Sequence, residues 1–290
     1  MKNLIIKSKM DKSVNFIYPA NNIGKFESRF VRRVEDYFII YLSSQSGCDQ
    51  ACRMCHLTAT GQNKLENATL EDFIHQAKSV YEHYDNESVK ANTVHYNFMA
   101  RGEPLNNPVI LKESGILLSG LEELGKARGL QNKYLISTIM PKEMGETSLI
   151  NIFNEIHPEI YYSIYSTSEK FRKKWLPKAL PYQKSLEMLK EWQDFTGKVP
   201  KIHFAFIKGE NDSVENMIDI ANSIKSVDLK VDVNIVRYNP YSPKYGEESD
   251  IDIINRNTTI LNDLILPENI RIVPKVGLDV KASCGMFVEK

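Results

Sequence analysis

The sequence predicts an α/β fold organised around a parallel sheet. Short runs of β-branched and aromatic residues alternate with longer segments of helical period, and six of those runs are each followed by such a segment. The length, 290 residues, with 42% hydrophobic and 26% charged residues, fits one large body with a sizeable core.

The strands are expected at 37–42, 93–98, 133–137, 159–165, 201–207 and 230–236, with a late run at 269–273. The first is followed by a loop holding three cysteines and then by a helix at 69–84. That helix opens on Thr69 and Asp72 in a capping-box arrangement and repeats apolar residues at Leu70, Phe73, Ala77 and Tyr81. Further helices are expected at 109–127, 146–155, 183–195, 213–226 and 258–266, and 245–250 reads as a surface loop. Parallel strands joined by helices take right-handed crossovers. Periodicity alone leaves open whether the sheet is a doubly wound layer or closes into a partial barrel.

The formal net charge is zero, which argues against a chain that binds nucleic acid through a global positive field. A local basic strip stands near the start, with Lys2, Lys7, Lys9, Lys12, Lys25, Arg29, Arg32 and Arg33 against Asp11, Glu27 and Glu35. A solvated segment explains it as well as a phosphate-guiding face does. No run reaches the roughly 18 apolar residues of a membrane span, and the start has no secretory core, so a cytoplasmic location is expected.

Cys48, Cys52 and Cys55 form C-x3-C-x2-C directly after Gly47. In a reducing compartment such a triplet points to metal or redox chemistry, and thiolates select zinc or iron–sulfur. A structural zinc site wants four ligands, which only Cys284 or His56 would complete. A [4Fe–4S] cube held by three cysteines instead leaves one iron open. S-adenosylmethionine (SAM) fills such a vacancy through its amino and carboxylate groups, and an electron then cleaves its sulfonium to a 5′-deoxyadenosyl radical.

The triplet after the first strand resembles the radical SAM superfamily. A closer resemblance, to the RlmN/Cfr family of RNA adenosine methyltransferases, rests on 42–48 (LSSQSGC), 98–106 (FMARGEPLN), 135–138 (LIST), 162–177 (YSIYSTSEKFRKKWLP), 207–213 (IKGENDS), 234–240 (NIVRYNP) and 277–285 (GLDVKASCG). It covers the chain from about residue 27 onward and implies a partial (β/α)6 TIM-type barrel over 27–290, preceded by a short extension at 1–26. It also implies an enzyme that methylates C2 or C8 of adenosine in rRNA or tRNA, with a reducing partner such as flavodoxin.

Carried over residue by residue, the resemblance implies that Gly102 and Glu103 hold the methionine end of SAM, with Ser137, Ser163, Ile164, Tyr165 and Asn239 around its polar groups. Taken by themselves, the serines read as strand ends and Asn239 as a cap before Pro240. Cys284 matches the cysteine that is first methylated and then delivers the carbon; a thiolate suits both tasks. As a residue it also reads as an inert buried thiol or a fourth cluster ligand. Glu27 aligns with the proton acceptor, a role that needs a raised pKa; a solvated surface carboxylate is the alternative.

The pattern breaks in four places. Tyr41 stands where the family has a cysteine that helps release product, and Tyr165 stands where it usually has histidine. The segment Val273, Pro274, Lys275, Val276 replaces a stretch that tends to carry two arginines. The family's N-terminal accessory domain has no counterpart in the few residues ahead of Glu27. Two other functions therefore stay open: radical SAM chemistry on a free nucleotide, peptide or small molecule, and a non-catalytic, metal-stabilised RNA-binding relic.

Overall fold

The computed structural model describes residues 3–289, so Lys2 of the basic strip lies outside the described residues. Ten strands form one sheet in simple chain order. The seven strands from β4 onward are parallel: β4 (Tyr37–Tyr41), β5 (Thr93–Phe98), β6 (Gln131–Thr138), β7 (Glu159–Tyr162), β8 (Lys201–Ala205), β9 (Asp232–Val236) and β10 (Ile270–Val273). Three antiparallel strands extend the β4 edge: β1 (Leu4–Lys7), β2 (Val14–Pro19) and β3 (Lys25–Val31). The boundary expected at residue 27 thus falls inside β3, and the expected extension supplies β1, β2 and the start of β3 to the sheet.

The parallel strands curve around a lumen as a partial TIM-type barrel. Their alternation has an unusual meaning. Outward positions such as Phe38, Ile40, Val94, Tyr96, Ile160, Tyr162, Val233 and Ile235 are buried under the helices. The intervening positions, including His95, Asn97, Tyr161, His203 and Asn234, line a cavity of about 260 Å³. The period of two therefore separates a helix-covered apolar face from a polar lumen, where in an open sheet it would separate core from solvent.

The helices are α1 (His56–Ala59), α2 (Leu70–Tyr84), α3 (Pro108–Lys126), α4 (Leu149–Ile152), α5 (Glu169–Trp175), α6 (Tyr182–Thr196), α7 (Val214–Ser226) and α8 (Ile251–Ile265). The capping box before α2 forms as expected: the Asp72 amide donates to Thr69 Oγ1 at 3.2 Å, and the Thr69 amide donates to Asp72 Oδ2 at 2.9 Å. The helix expected at 146–155 shortens to the single turn α4, which Ser148 caps late. Helix α8 starts seven residues before the expected position 258, directly after Asp250. No described helix is long and apolar enough to cross a membrane.

The expected basic strip is not a continuous face, and neither is the basic run at 170–174. Arg29 and Arg32 are buried, and Arg32 spends its guanidinium on the Val34, Val89 and Glu35 carbonyls. In the 170–174 run, Arg172 is buried and donates to the Ile164 and Leu180 carbonyls, while Lys174 pairs with Glu210. That leaves Lys170 and Lys173 exposed.

The last part of the chain, 277–289, is a strap that runs back over the sheet's antiparallel end. Asp11 Oδ2 accepts from the Gly277 amide at 2.7 Å, and Asp279 accepts from Ser8 Oγ and the Lys9 amide. Asn15 Nδ2 donates to the Val280 carbonyl, and Arg29 donates to that of Met286 at 2.6 Å. Cys284 lies within this strap.

Candidate active site

The three cysteines sit on the loop between β4 and α1, each half-buried and unpaired. The loop is fixed by backbone hydrogen bonds rather than by regular structure. The Ser44 amide donates to the Arg101 carbonyl at 2.8 Å, and the Cys48 amide donates to the Gln62 carbonyl at 3.0 Å. A Cβ on Gly47 would stand 2.3 Å from the Lys64 carbonyl oxygen, so the chain passes there only without a side chain. Burial pushes all three thiols up from their ordinary value, and the neighbouring thiols add to the rise at Cys48 and Cys52. Metal binding would have to displace those protons.

The donor set fits an iron–sulfur cube better than zinc. Among the described residues no three His, Cys, Asp or Glu side chains converge on a point that would hold one metal ion. Three thiols on one loop suit three corners of a cube and leave its fourth iron for an external ligand.

The residues matched to SAM gather at the C-terminal rim of the parallel strands, where (β/α) barrels collect their chemistry. Gly102 and Glu103 follow β5, Ser137 is near the end of β6, Ser163, Ile164 and Tyr165 follow β7, and Asn239 follows β9. Glu103 is buried and bridges two of these loops: its Oε1 accepts from the Leu105 amide and its Oε2 from the Ile139 amide, both at 3.1 Å. Burial pushes its carboxyl up to about 7, against the opposing hydrogen bonds from Thr138, Ile139 and Leu105. Ser137 and Ser163 are half-buried, with hydroxyls that have no partner among the described residues.

Ile164 has its backbone committed, its amide to the Tyr162 carbonyl and its carbonyl to Arg172. Tyr165 holds a left-handed backbone (φ 54°), pinned by Asn211 and Asn216 donating to its carbonyl. Such strain persists only when the surroundings enforce it, and it collects at functional positions.

Gly102 takes φ 93°, and a Cβ there would meet Ser44 Oγ and Gln45 Cβ at 2.6 Å. We expect Gly102→Ala to displace the cysteine loop and cost about 1–3 kcal/mol. The check is iron content after anaerobic reconstitution alongside the thermal midpoint, both of which should fall.

Cys284 is brought to the same rim by the strap. Asn239 Nδ2 donates to the Cys284 carbonyl at 2.9 Å and to Ser283 Oγ at 3.1 Å, and the His56 amide donates to the Gly285 carbonyl at 3.0 Å. Asn239, matched to a SAM contact, thus spends its amide on the strap. Burial pushes the Cys284 thiol up to about 11, with Cys55 adding and Arg29 and Arg33 opposing. Cys284 borders the barrel lumen on one side and, on the other, a small pocket shared with Met54, Tyr165 and Asn239.

Glu27 occupies neither environment weighed for it. It is 0% exposed, and both oxygens are engaged: Oε1 by Arg101 Nε at 2.7 Å and the Val288 amide at 3.1 Å, Oε2 by Asn15 at 2.9 Å and Arg29 at 3.1 Å. Burial alone would raise its pKa, but Arg29 and Arg101 outweigh it and hold the carboxyl below its ordinary value. That is the opposite of what a proton acceptor needs.

The residue that organises the site, Arg101, carried no role in the sequence reading although it lies inside the FMARGEPLN segment. Besides Glu27 it donates to the Ser46 carbonyl, Gln62 Oε1 and the Val288 carbonyl, all within 2.9 Å. It therefore joins cysteine loop, sheet and strap.

No protein-family model matches the chain. Curated relatives do. A probable dual-specificity RNA methyltransferase RlmN from Prochlorococcus marinus (strain MIT 9211) is 26% identical over 249 residues, covering 85% of this chain and 66% of the relative. Its counterpart from Chlorobium phaeobacteroides is 28% identical over 262 residues, covering 86% and 66%. The chain thus spans about two thirds of the length of these relatives. Among solved structures, a radical SAM methyltransferase from Sphaerobacter thermophilus superposes with a TM-score of 0.79 over 98% of this chain and 80% of that one, at 17% identity. The chain is thus similar to RlmN-type RNA methyltransferases over most of its length and shares the fold of a radical SAM methyltransferase.

Two departures from the RlmN/Cfr pattern gain a location. Tyr41 lines the lumen together with Cys284, so a phenol stands on the wall where a second thiol was expected. Val273 to Val276 line the same lumen, which makes the altered segment part of the barrel interior and not an outer phosphate-binding face.

Proposed function

We propose that this protein is a radical SAM methyltransferase that carries a one-carbon unit on Cys284 to the adenine base of an RNA adenosine, in rRNA or tRNA. The single observation that carries the reading is the position of Cys284. It stands on the wall between the rim pocket near the cluster cysteines and a lumen large enough for a base.

Cys48, Cys52 and Cys55 would hold the [4Fe–4S] cluster; Gly102, Glu103, Ser137 and Ser163 would bind SAM. When bound, the cluster supplies the electron that turns SAM into a radical source. Glu103, ionised, offers the counter-charge for the ammonium of the methionine end, and the free hydroxyls of Ser137 and Ser163 are available to polar groups of the ligand. Cys284 gives up its proton and attacks the sulfonium methyl of one SAM; its sulfur–carbon bond forms as the bond to the departing S-adenosylhomocysteine breaks. Tyr41 and Asn97, register neighbours on β4 and β5, line the lumen in front of the acceptor base. An adenine reaches such an enclosed place only when unstacked from its neighbours.

An external one-electron reductant of the flavodoxin class and a cytoplasmic location complete the reading. The test is mass spectrometry of RNA incubated anaerobically with reconstituted protein, SAM and reductant, together with the mass of the peptide bearing Cys284. One added methyl on an adenosine, with a methylated Cys284, is the expected result. A methylated Cys284 with unchanged RNA would transfer the chemistry to another acceptor.

A further inference from the structure

The barrel lumen holds more cationic and unpaired polar character than the methyl-transfer chemistry uses. Seven cations line it against one carboxylate, Glu159. Four of them are matched: Arg29 by Glu27, Lys201 by Glu159, and Arg237 and Lys275 by Glu248. Arg33, Lys133 and Arg271 have no ion-pair partner among the described residues.

The same lining contains buried polar atoms without partners. His203 is 8% exposed and neither ring nitrogen has a hydrogen bond; Asn97 is 4% exposed and its Oδ1 is free; the Arg33 Nε is buried and unpartnered. Buried polar groups are almost always satisfied, so a concentration of orphans around one cavity marks a place a polar ligand fills. His203, Asn234 and Arg271 are register neighbours across β8, β9 and β10, and Arg271 Nε is steadied by Asn234 Oδ1 at 3.0 Å. Burial keeps the His203 ring neutral, its pKa pushed down to about 4, with Arg271 and Arg33 close enough to add to the depression. A neutral ring offers one N–H and tolerates the guanidiniums beside it.

We propose that the lumen beneath Cys284 binds a phosphate monoester of the adenine-bearing substrate through Arg33, Arg271 and His203, with Lys133 at its rim. Guanidiniums recognise phosphate by paired, charge-assisted hydrogen bonds, and three unmatched cations supply the charge that two phosphate oxygens demand. The Asn97 Oδ1, an acceptor, suits the exocyclic amine of the base at the Cys284 end. A free nucleotide or a 5′-phosphorylated RNA end brings a monoester that enters the lumen once, whereas an internal phosphodiester would need the polynucleotide to leave it in both directions. That the base meets Cys284 rests on the proposed methylation; the anion site itself does not.

The test is titration calorimetry on the anaerobically reconstituted protein with AMP, adenosine, inorganic phosphate, and a short adenine-ended oligoribonucleotide carrying either a 5′-phosphate or a 5′-hydroxyl. AMP, or the phosphorylated oligomer, should bind about tenfold or more tightly than its unphosphorylated counterpart. Arg271→Gln, at an exposed position that spares the fold, should erase that preference, and Arg33→Gln provides a second variant. Phosphate-dependent binding of AMP identifies a free nucleotide; the same dependence confined to the oligomer identifies an RNA end. Equal binding with and without the phosphate, or a preference that survives both variants, overturns the proposal. Because calorimetry needs no turnover, such a failure leaves the carbon-carrier role of Cys284 standing, and loss of methyl transfer leaves the anion site standing.

Discussion

Arg101→Met is expected to lower the stability of the protein by about 3–5 kcal/mol. Arg101 is 1% exposed, and its removal strands the Glu27 carboxylate in the interior with Arg29 as its one remaining guanidinium. The loss extends beyond one ion pair. The guanidinium holds three further acceptors on the cysteine loop, on Gln62 and on the strap, and Phe287 lies across it and across Arg29 with ring centroids 5.8 and 4.8 Å away. Urea denaturation measures the cost, and limited proteolysis within 277–289 reports whether the strap loosens first. An unchanged midpoint would remove Arg101 from its place as organiser. The pH dependence follows from the sign of the shift at Glu27. Since the folded carboxyl is held below its ordinary value, the network contributes fully above the unfolded value, near 4.3, and its contribution is lost as pH falls through the folded pKa.

Cys284→Ala should reduce methyl transfer by about 10⁴-fold or more, the scale on which loss of a covalent nucleophile is felt. It should do so while iron content, visible absorbance and SAM cleavage to 5′-deoxyadenosine persist, because the cluster thiols and the Glu103 loop lie on separate segments. Cys284→Ser keeps the shape but presents a weaker nucleophile and should be nearly as inactive. A variant that lost its iron as well would instead make Cys284 a cluster ligand.

Much of the fold was legible. The β-branched and aromatic runs located all seven parallel strands, and Thr69 with Asp72 located the start of α2 within a residue. The antiparallel strands were missed: Leu4–Lys7 is a short run of three consecutive apolar residues left largely exposed, and Lys25–Val31 buries Glu27, Ser28 and Arg29, polar residues that no hydrophobic pattern marks as interior. Helix α5 was hidden because Arg172 and Lys174 look like a solvated run, although one is buried and the other paired. In the site, the cysteine spacing was readable because ligand spacing is local in sequence. The Arg101 network was not, since it joins residues from Glu27 to Val288 whose proximity depends on the sheet and strap being in place. The polar lumen was equally hidden: alternation in a strand says that two faces differ, and only closure says that the polar one turns inward.

The strap has a consequence for how the enzyme comes into being. The hydrogen bond from the Val288 amide to Glu27 joins positions 261 residues apart, and that from Asn15 to the Val280 carbonyl joins positions 265 apart. Contacts of such long sequence separation are entropically late in folding. On the ribosome, Glu27 waits with its charge uncompensated by Val288, and the proposed carrier thiol is absent, until residues 277–289 have been made. The proposed site is therefore assembled only once 277–289 have been made, and a nascent segment carrying Cys48, Cys52 and Cys55 alone lacks the proposed carrier thiol.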